Sequence, residues 1–179
     1  MRAVFDTCVL VPTFLRAVLL ICAATCNVEF IVSPRILEEW ARAAKTPLQR
    51  LESEIAVAQF KQKFAIAIRP DPLSLAQFWL PDPDDIHILA LAVNQHADVI
   101  VTHNKKDFPQ GELRSYGIDR MDPDAFLRRL FKQHGAEIVP VVQPILAEVR
   151  NLHADLSASD IWRKAWLPQF GRMIEKTMK

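Results

Sequence analysis

Residues 80–109, LPDPDDIHILALAVNQHADVIVTHNKKDFP, contain one helix pattern, one strand pattern and several acidic side chains. The apolar positions of the first half have the i, i+3, i+4, i+7 spacing of a helix with one buried face. These positions are Ile86, Leu89, Ala90 and Val93. Residues 99–101, Val-Ile-Val, are a β-branched run of the kind found in a parallel strand that is covered on both faces. The segment therefore predicts a helix, capped by Asp84 or Asp85, and then a buried parallel strand.

The rest of the chain continues this alternation. Ser33-Pro34, Thr46-Pro47 and Asp122-Pro123 each combine a capping residue with a proline suited to the first turn of a helix. Strands that alternate with helices predict a parallel α/β sheet. We expect further strands at residues 3–5, 29–32 and 117–118, further helices at residues 9–24, 34–45, 47–66 and 123–131, a proline-rich loop at residues 69–83, and two helices after residue 136 separated near Ser157.

Composition limits the possible classes of protein. The chain has 179 residues, half of them hydrophobic, which fits one domain with an appendage. Residues 1–124 carry 13 basic and 16 acidic side chains, whereas residues 125–179 carry 9 and 5, so an acidic body precedes a basic tail. The three cysteines form no CxxC pair, which favours a reducing, cytoplasmic location. The uncharged run at residues 17–28 is too short to span a membrane.

The acidic residues are expected to gather at one edge of the sheet. Asp6 ends the first strand and Asp107 follows a later one, and functional groups of parallel sheets collect beyond the carboxyl ends of the strands. Two carboxylates 4 Å apart repel by about 4 kcal/mol at an effective dielectric near 20. A helix N-terminus offsets only about 0.3–1 kcal/mol. A cation is therefore expected, and oxygen-only ligands favour Mg²⁺ or Mn²⁺, which support phosphodiester hydrolysis.

Simpler interpretations apply to several of these residues taken singly. Asp84 or Asp85 alone is usually a helix cap, Asp82 a turn residue and Asp107 part of an ordinary loop. Asp6 is different, because an acid between a buried strand and a buried helix needs a partner or a function. The joint arrangement of these acids therefore carries the prediction of a site. Trp162 and Trp166, one helical turn apart, are expected to be core residues rather than a base-stacking platform.

Four segments of the sequence resemble, in order and spacing, the motifs of PIN-domain ribonucleases, and in particular the VapC-type toxins of bacterial toxin–antitoxin pairs. The segments are VFDTCVLVP (residues 4–12), SPRILEEW (33–40), LPDPDDIHILALAV (80–93) and VIVTHNKKDFP (99–109). The resemblance covers about residues 2–130. It implies a three-layer α/β/α fold with a central parallel sheet, a nuclease domain at residues 1–133 and a C-terminal helical extension at residues 134–179. It also implies metal-dependent cleavage of RNA.

The resemblance assigns five acids to catalysis and metal binding. These acids are Asp6, Glu39, Asp82, Asp85 and Asp107. Glu38 competes with Glu39, since both lie similarly far from the apolar face of their helix, and Asp84 is the likelier cap. Thr102 and Asn104 are expected to support the ligands by hydrogen bonds, and Lys105 and Lys106 to hold the RNA backbone.

Two positions depart from the pattern of many relatives. Cys8 stands where they have Asn, which predicts a weaker hydrogen bond to Asp6, and Asn104 stands where they have an acid. One well-held ion is therefore expected. The alternative function is a PIN-like RNA-binding or assembly module with little or no catalysis. A phosphatase that phosphorylates Asp6 ranks last, because it would need a second acid at position 8.

The resemblance also implies partners for the chain. The expected partners are an RNA substrate, a protein antitoxin and a second copy of the chain in a homodimer. The basic extension is expected to have a solvated helix face, or to shape access of RNA and part of an antitoxin groove. No membrane association is expected.

Overall fold

The computed structural model describes residues 1–178 and divides the chain into two compact units. The sheet unit contains Met1–Val11 and Glu29–Met121, and the helical unit contains Pro12–Val28 and the chain from Asp122 onward. The strands are β1 (Arg2–Phe5), β2 (Glu29–Ile31), β3 (Val99–Val101) and β4 (Asp119–Met121). The helices are α1 (Thr7–Leu10), α2 (Thr13–Thr25), α3 (Pro34–Arg42), α4 (Pro47–Lys63), α5 (Ile86–Asn94), α6 (Gln110–Ser115), α7 (Pro123–Leu152), α8 (Ala158–Lys164) and α9 (Pro168–Thr177), with short 3-10 helices at Ala65–Ala67 and Pro83–Asp85.

The sheet unit is built on a parallel sheet with the strand order β2-β1-β3-β4. Val4 of β1 lies opposite Ile31 of β2 on one side and Ile100 of β3 on the other. All three residues of β3 are fully buried, as expected of a central parallel strand. The edge strand β4 begins at Asp119 and not at the predicted Gly117, because Gly117 has a φ of 72° and ends α6. The predicted fold class, α/β with a central parallel sheet and C-terminal helices, is confirmed.

Proline and capping residues account for most of the helix boundaries. The helix predicted at residues 9–24 is two helices, since Pro12 cannot continue α1 and Asp6 lets α1 begin at Thr7. Ser33 and Thr46 cap α3 and α4 as predicted. Asp85, one of the two predicted residues, is the N-cap residue of α5, but its side chain makes no capping hydrogen bond. The Asp82 carboxylate accepts the Asp84 N–H at 2.9 Å and caps the 3-10 helix that leads into α5, which leaves the Asp85 side chain without a capping bond.

In the helical unit, α7 is longer than the sequence predicts. α7 does not end at Phe131 but runs to Leu152, with a non-helical backbone at His134. The predicted break near Ser157 is present, and Ser157 starts α8 with a capping box to Asp160. Residues 165–167 then separate α8 from α9, so the chain after this break forms two helices and not one. The predicted domain division at residues 133 and 134 coincides with the kink in α7 and stays a prediction.

Aromatic side chains fill the core of the helical unit. Trp162 is 1 % exposed, and its ring centroid lies 5.2 Å from that of Phe14 and 5.7 Å from that of Phe170. Trp162 is therefore a core residue, as predicted. Trp166 is 57 % exposed, so its prediction as a core residue is wrong; it follows α8 in a turn and is not one helical turn further along the same helix.

The structure also describes the state of the cysteines and the length and apolarity of the helices. Within residues 1–178, all three cysteines are free thiols. Of the helices in this described part of the chain, none combines the length and the apolarity that crossing a bilayer requires.

We expect Gly171→Ala to destabilise the protein by about 1–3 kcal/mol through overpacking. A Cβ atom at position 171 would lie 2.2 Å from Cγ of Trp162, in the closely packed contact between α8 and α9. Chemical denaturation followed by circular dichroism measures the loss. Gly111→Ala is the matched control, because no atom lies within 4 Å of its added Cβ. Equal stability of the two variants would contradict this account of the packing.

Candidate metal centre

Three carboxylates come together at the carboxyl ends of the central strands. Asp82, Asp85 and Asp107 each offer one oxygen, and these oxygens lie within 4.8 Å of one another. Asp82 precedes the 3-10 helix before α5, Asp85 is the last residue of that helix, and Asp107 lies on the loop that follows β3. All three side chains are half-buried, and together they could hold a metal ion.

The charge of this cluster disfavours its own ionisation. Burial, and after it the negative charges of Asp6, Asp82 and Asp107, raise the pKa of Asp85 to about 7, against a smaller lowering by His87. A divalent cation would offset this repulsion, and carboxylate oxygens are the ligands that Mg²⁺ and Mn²⁺ prefer. The donor chemistry therefore fits such an ion.

Asp6 lies beside the three-carboxylate cluster, where its position is fixed by hydrogen bonds. It is 6 % exposed, and its Oδ2 accepts the Thr102 hydroxyl at 2.6 Å and the Cys8 thiol at 3.0 Å. The Cys8 N–H points at Oδ1 from 3.4 Å. Burial and the neighbouring Asp6 charge raise the pKa of the Cys8 thiol to about 12, so the thiol stays protonated and remains a donor. Cys8 thus donates a hydrogen bond to Asp6, at the position where the sequence predicted a hydrogen bond weaker than that of Asn.

Glu39 lies apart from the cluster of three and has both oxygens engaged. Its Oε2 accepts the Thr7 hydroxyl at 2.8 Å, and its Oε1 accepts Nε of Arg35 at 3.1 Å. Nε2 of His87 also lies 3.0 Å from Oε1. Partial burial would raise the pKa of Glu39, but the nearby His87 and the hydrogen bonds from Thr7 and Arg35 outweigh it and lower the pKa to about 2.

The neighbouring Glu38 has a different environment. It is exposed and pairs with Arg42 of the same helix at 3.2 Å. The two glutamates that spacing alone could not separate therefore face different surroundings, and only Glu39 contacts Thr7 of α1 and His87 of α5.

His87 is the functional candidate that the sequence analysis missed. It is 2 % exposed in α5, and neither ring nitrogen makes a well-formed hydrogen bond within the described part of the chain. Its contact with Glu39 is short enough for an ion pair but badly angled for a hydrogen bond. The sequence did contain a signal for His87: it is the one polar residue in the otherwise apolar segment 86–93. An imidazole that is buried in such a segment needs a polar partner. Arg35, four residues before Glu39, was also missed.

Thr102 and Asn104, the two residues predicted to support the ligands, each donate a hydrogen bond to one of the predicted acids. The Asn104 side chain donates to Oδ2 of Asp85 at 3.1 Å, and its backbone N–H donates to Oγ1 of Thr102 at 2.8 Å. Thr102 in turn donates to Asp6, so one chain of hydrogen bonds links the loop after β3 to two of the acids. Lys105 and Lys106 are exposed in the following turn, and their predicted contact with RNA stays a prediction.

An open cleft of about 510 Å³ adjoins the site. The side chains that line it are Arg35, Glu38, Glu39, Arg42, Asp84 and Asp85.

The fold agrees with the family that matches this sequence. The family model of the PIN domain matches residues 2–106, more than half of the chain, and the chain belongs to the PIN-domain family. The predicted resemblance is therefore confirmed.

One curated relative has a short, strong match. A 43-residue segment is 51 % identical to a protein of Mycobacterium tuberculosis (strain ATCC 25618 / H37Rv) named "Putative ribonuclease VapC50". The match covers 24 % of this chain and 25 % of that protein, so the similarity spans about a quarter of the relative. No solved structure is a significant match to the chain.

We expect Asp85→Asn to stabilise the metal-free protein at about pH 8 and to have no effect below about pH 4. The pKa of Asp85 is raised from 3.8 to about 7, so the folded chain loses stability as the pH rises through this window and the carboxyl ionises. Because the side chain is half-exposed, screening reduces the gain to about 1 kcal/mol, or about 2–4 °C in Tm.

Thermal unfolding in a chelator at both pH values measures this effect. Asp84→Asn is the matched control, since Asp84 is exposed in the same segment and outside the cluster of three. A lower Tm for Asp85→Asn at about pH 8 would show that the cluster is not under repulsion.

Proposed function

We propose that this chain is a metal-dependent endoribonuclease that hydrolyses RNA phosphodiester bonds with Mg²⁺ or Mn²⁺. The observation that carries the proposal is the cluster of three carboxylate oxygens within 4.8 Å, in a chain of the PIN-domain family. The name of the similar mycobacterial protein supports the choice of RNA as substrate. The resemblance to VapC-type toxins supports a role as the toxin of a bacterial toxin–antitoxin pair.

The five predicted acids divide into two roles. Asp82, Asp85 and Asp107 would hold the ion, with Asp6 beside them at the end of β1. Glu39 would complete the anionic site from α3 while its oxygens remain held by Thr7, Arg35 and His87. When bound, a divalent cation polarises a phosphoryl oxygen, lowers the pKa of water and stabilises the leaving oxygen.

The remaining residues act on position and on the RNA. Thr102 and Cys8 orient the Asp6 carboxylate, and Asn104 orients that of Asp85. Such fixed orientation matters because ligands that are held in place bind an ion with less reorganisation. Lys105 and Lys106, exposed on the loop that carries Asp107, would hold phosphate groups of the RNA backbone.

A protein partner is supported by an exposed apolar stripe on α4. Leu48, Leu51 and Ile55 are 67 %, 55 % and 50 % exposed, at the spacing of a helix-pairing seam. An antitoxin or a second copy of the chain would cover such a stripe. The homodimer and the cytoplasmic location both stay predictions.

Replacing Asp85 by Asn should reduce RNA cleavage by more than about 100-fold, because it removes a central charge of the proposed site. Purified protein incubated with defined end-labelled RNAs, with Mg²⁺, with Mn²⁺ or with a chelator, measures the rate and maps the cut ends. Asp84→Asn should cleave like the unchanged protein. Cleavage that survives in Asp85→Asn or in the chelator would rule out the proposed mechanism. RNA binding without any cleavage by the unchanged protein would favour the non-catalytic alternative.

Glu39→Gln should lower both cleavage and Mn²⁺ affinity by about 10- to 100-fold, because the site loses a charge that its surroundings keep ionised. His87→Gln should produce part of the same loss through the position of Glu39. Isothermal titration with Mn²⁺ gives the affinity independently of catalysis. Glu38→Gln, one residue away and exposed, is the matched control. The assignment fails if Glu38→Gln and Glu39→Gln have equal effects.

A further inference from the structure

Arg35 lines the cleft beside the candidate metal centre and is held there by two side-chain hydrogen bonds. Its Nε donates to Oε1 of Glu39 at 3.1 Å, and its Nη2 donates to the Asp84 carbonyl at 3.1 Å. This carbonyl belongs to the peptide unit that leads into Asp85, whose carboxylate is one of the cluster of three. The guanidinium therefore lies within hydrogen-bond distance of the backbone that carries the candidate metal centre.

These two bonds use only part of the donor capacity of Arg35. A guanidinium has five N–H groups in one plane. One N–H on Nε and one on Nη2 are bonded, and within residues 1–178 the other three, two of them on Nη1, have no hydrogen-bond partner. The side chain is 39 % exposed, and the cleft that it lines has a volume of about 510 Å³. Arg35 thus offers donors to the cleft from a guanidinium whose orientation is already fixed.

Four acids also line this cleft, so an anionic ligand can bind only where their charges are offset. The chain itself offsets two of them. Glu38 is paired with Arg42 at 3.2 Å, and Glu39 is paired with Arg35 at 3.1 Å. The cation of the proposed function would offset a third acid. The cleft therefore becomes suitable for a phosphate group when the metal centre is occupied.

We propose that Arg35 binds a phosphate group of the RNA strand in this cleft, beside the metal centre. The identity of the strand as RNA rests on the proposed ribonuclease function. Nη1 and Nη2 would donate to two oxygens of one phosphate, the paired geometry in which arginine recognises phosphate. Because Glu39 and Asp84 already orient the guanidinium, little side-chain freedom is lost on binding. A phosphate held at this point aligns the strand with the carboxylates.

The test measures the affinity of the full-length protein for fluorescein-labelled oligo(U) of about 12 nucleotides. The titration is done in Ca²⁺, which carboxylates also bind, and a gel checks that the RNA stays intact. Arg35→Gln should weaken binding by about 10-fold or more, the loss expected for a hydrogen bond to a charged group. The slope of log affinity against log salt concentration should fall by about 0.7, the value for one phosphate contact on a single strand. Arg35→Lys should keep this slope but lose part of the affinity.

Arg50→Gln is the matched control. Arg50 forms the same kind of pair, from Nε to Oε1 of the glutamate four residues later, at 3.3 Å, but it lies on α4 and does not line the cleft. It should leave the affinity and the salt slope unchanged. An unchanged affinity or slope in Arg35→Gln, an equal loss in Arg50→Gln, or no RNA binding by the unchanged protein would overturn the proposal. Arg35-dependent binding of inorganic phosphate without binding of oligo(U) would overturn it as well.

Titration with Mn²⁺ separates a contact with RNA from a purely structural role of Arg35. Loss of a positive charge should not weaken the binding of a cation, so Arg35→Gln should bind Mn²⁺ at least as tightly as the unchanged protein. A parallel loss of Mn²⁺ and RNA affinity would mean that Arg35 only positions Glu39, and the proposal would fail. If Arg35→Gln loses RNA affinity but the unchanged protein cleaves no RNA, the contact stands and the ribonuclease assignment fails. If the unchanged protein cleaves RNA and Arg35→Gln binds RNA normally, the ribonuclease assignment stands and the contact is wrong.

Discussion

Repulsion among carboxylates is the constraint around which the sheet unit is arranged. Parallel pairing of β1 with β3 brings the end of one strand, at Asp6, to the same edge as the loop that carries Asp107. The Asp82 cap brings Asp85 to this edge as well, and the pKa of Asp85 rises to about 7 because it is partly buried among like charges. A chain selected only for stability would not keep this arrangement, which becomes favourable when a cation offsets the charge.

The acids differ in the charge of the groups that contact them. Asp6 and Asp85 accept bonds from neutral groups, namely the Thr102 hydroxyl, the Cys8 thiol and the Asn104 amide. These donors orient the carboxylates but leave their charge to be offset by something else. Glu39 instead lies beside Arg35 and His87, and its pKa falls to about 2. The site therefore combines a cluster whose charge the protein leaves without a cationic hydrogen-bond donor with one glutamate whose charge is already offset by the protein.

The sequence predicted the parts of the fold that depend on local pattern. The β-branched run at residues 99–101 gave β3, and the Ser33-Pro34 and Thr46-Pro47 pairs gave the starts of α3 and α4. The prediction from sequence was wrong where two local patterns conflicted. Pro12 divides an apolar run that has the pattern of one helix. Asp82 makes the side-chain capping bond that was expected of Asp84 or Asp85. The choice between Glu38 and Glu39, and the burial of His87 beside Glu39, depend on contacts between α3 and α5 that no spacing within one segment contains.

The two departures from the family pattern gain a physical meaning from these contacts. Cys8 was expected to weaken the orientation of Asp6, yet its thiol, with a pKa raised to about 12, donates to the same oxygen as Thr102. Because Asn104 stands where many relatives have an acid, the loop after β3 was expected to lack one negative charge. An additional carboxylate at position 104 would instead lie against Asp85, whose pKa is already about 7, and would increase the repulsion within the cluster. A neutral donor there reduces the charge that an ion must offset, so both departures are compatible with a working site that holds a single cation.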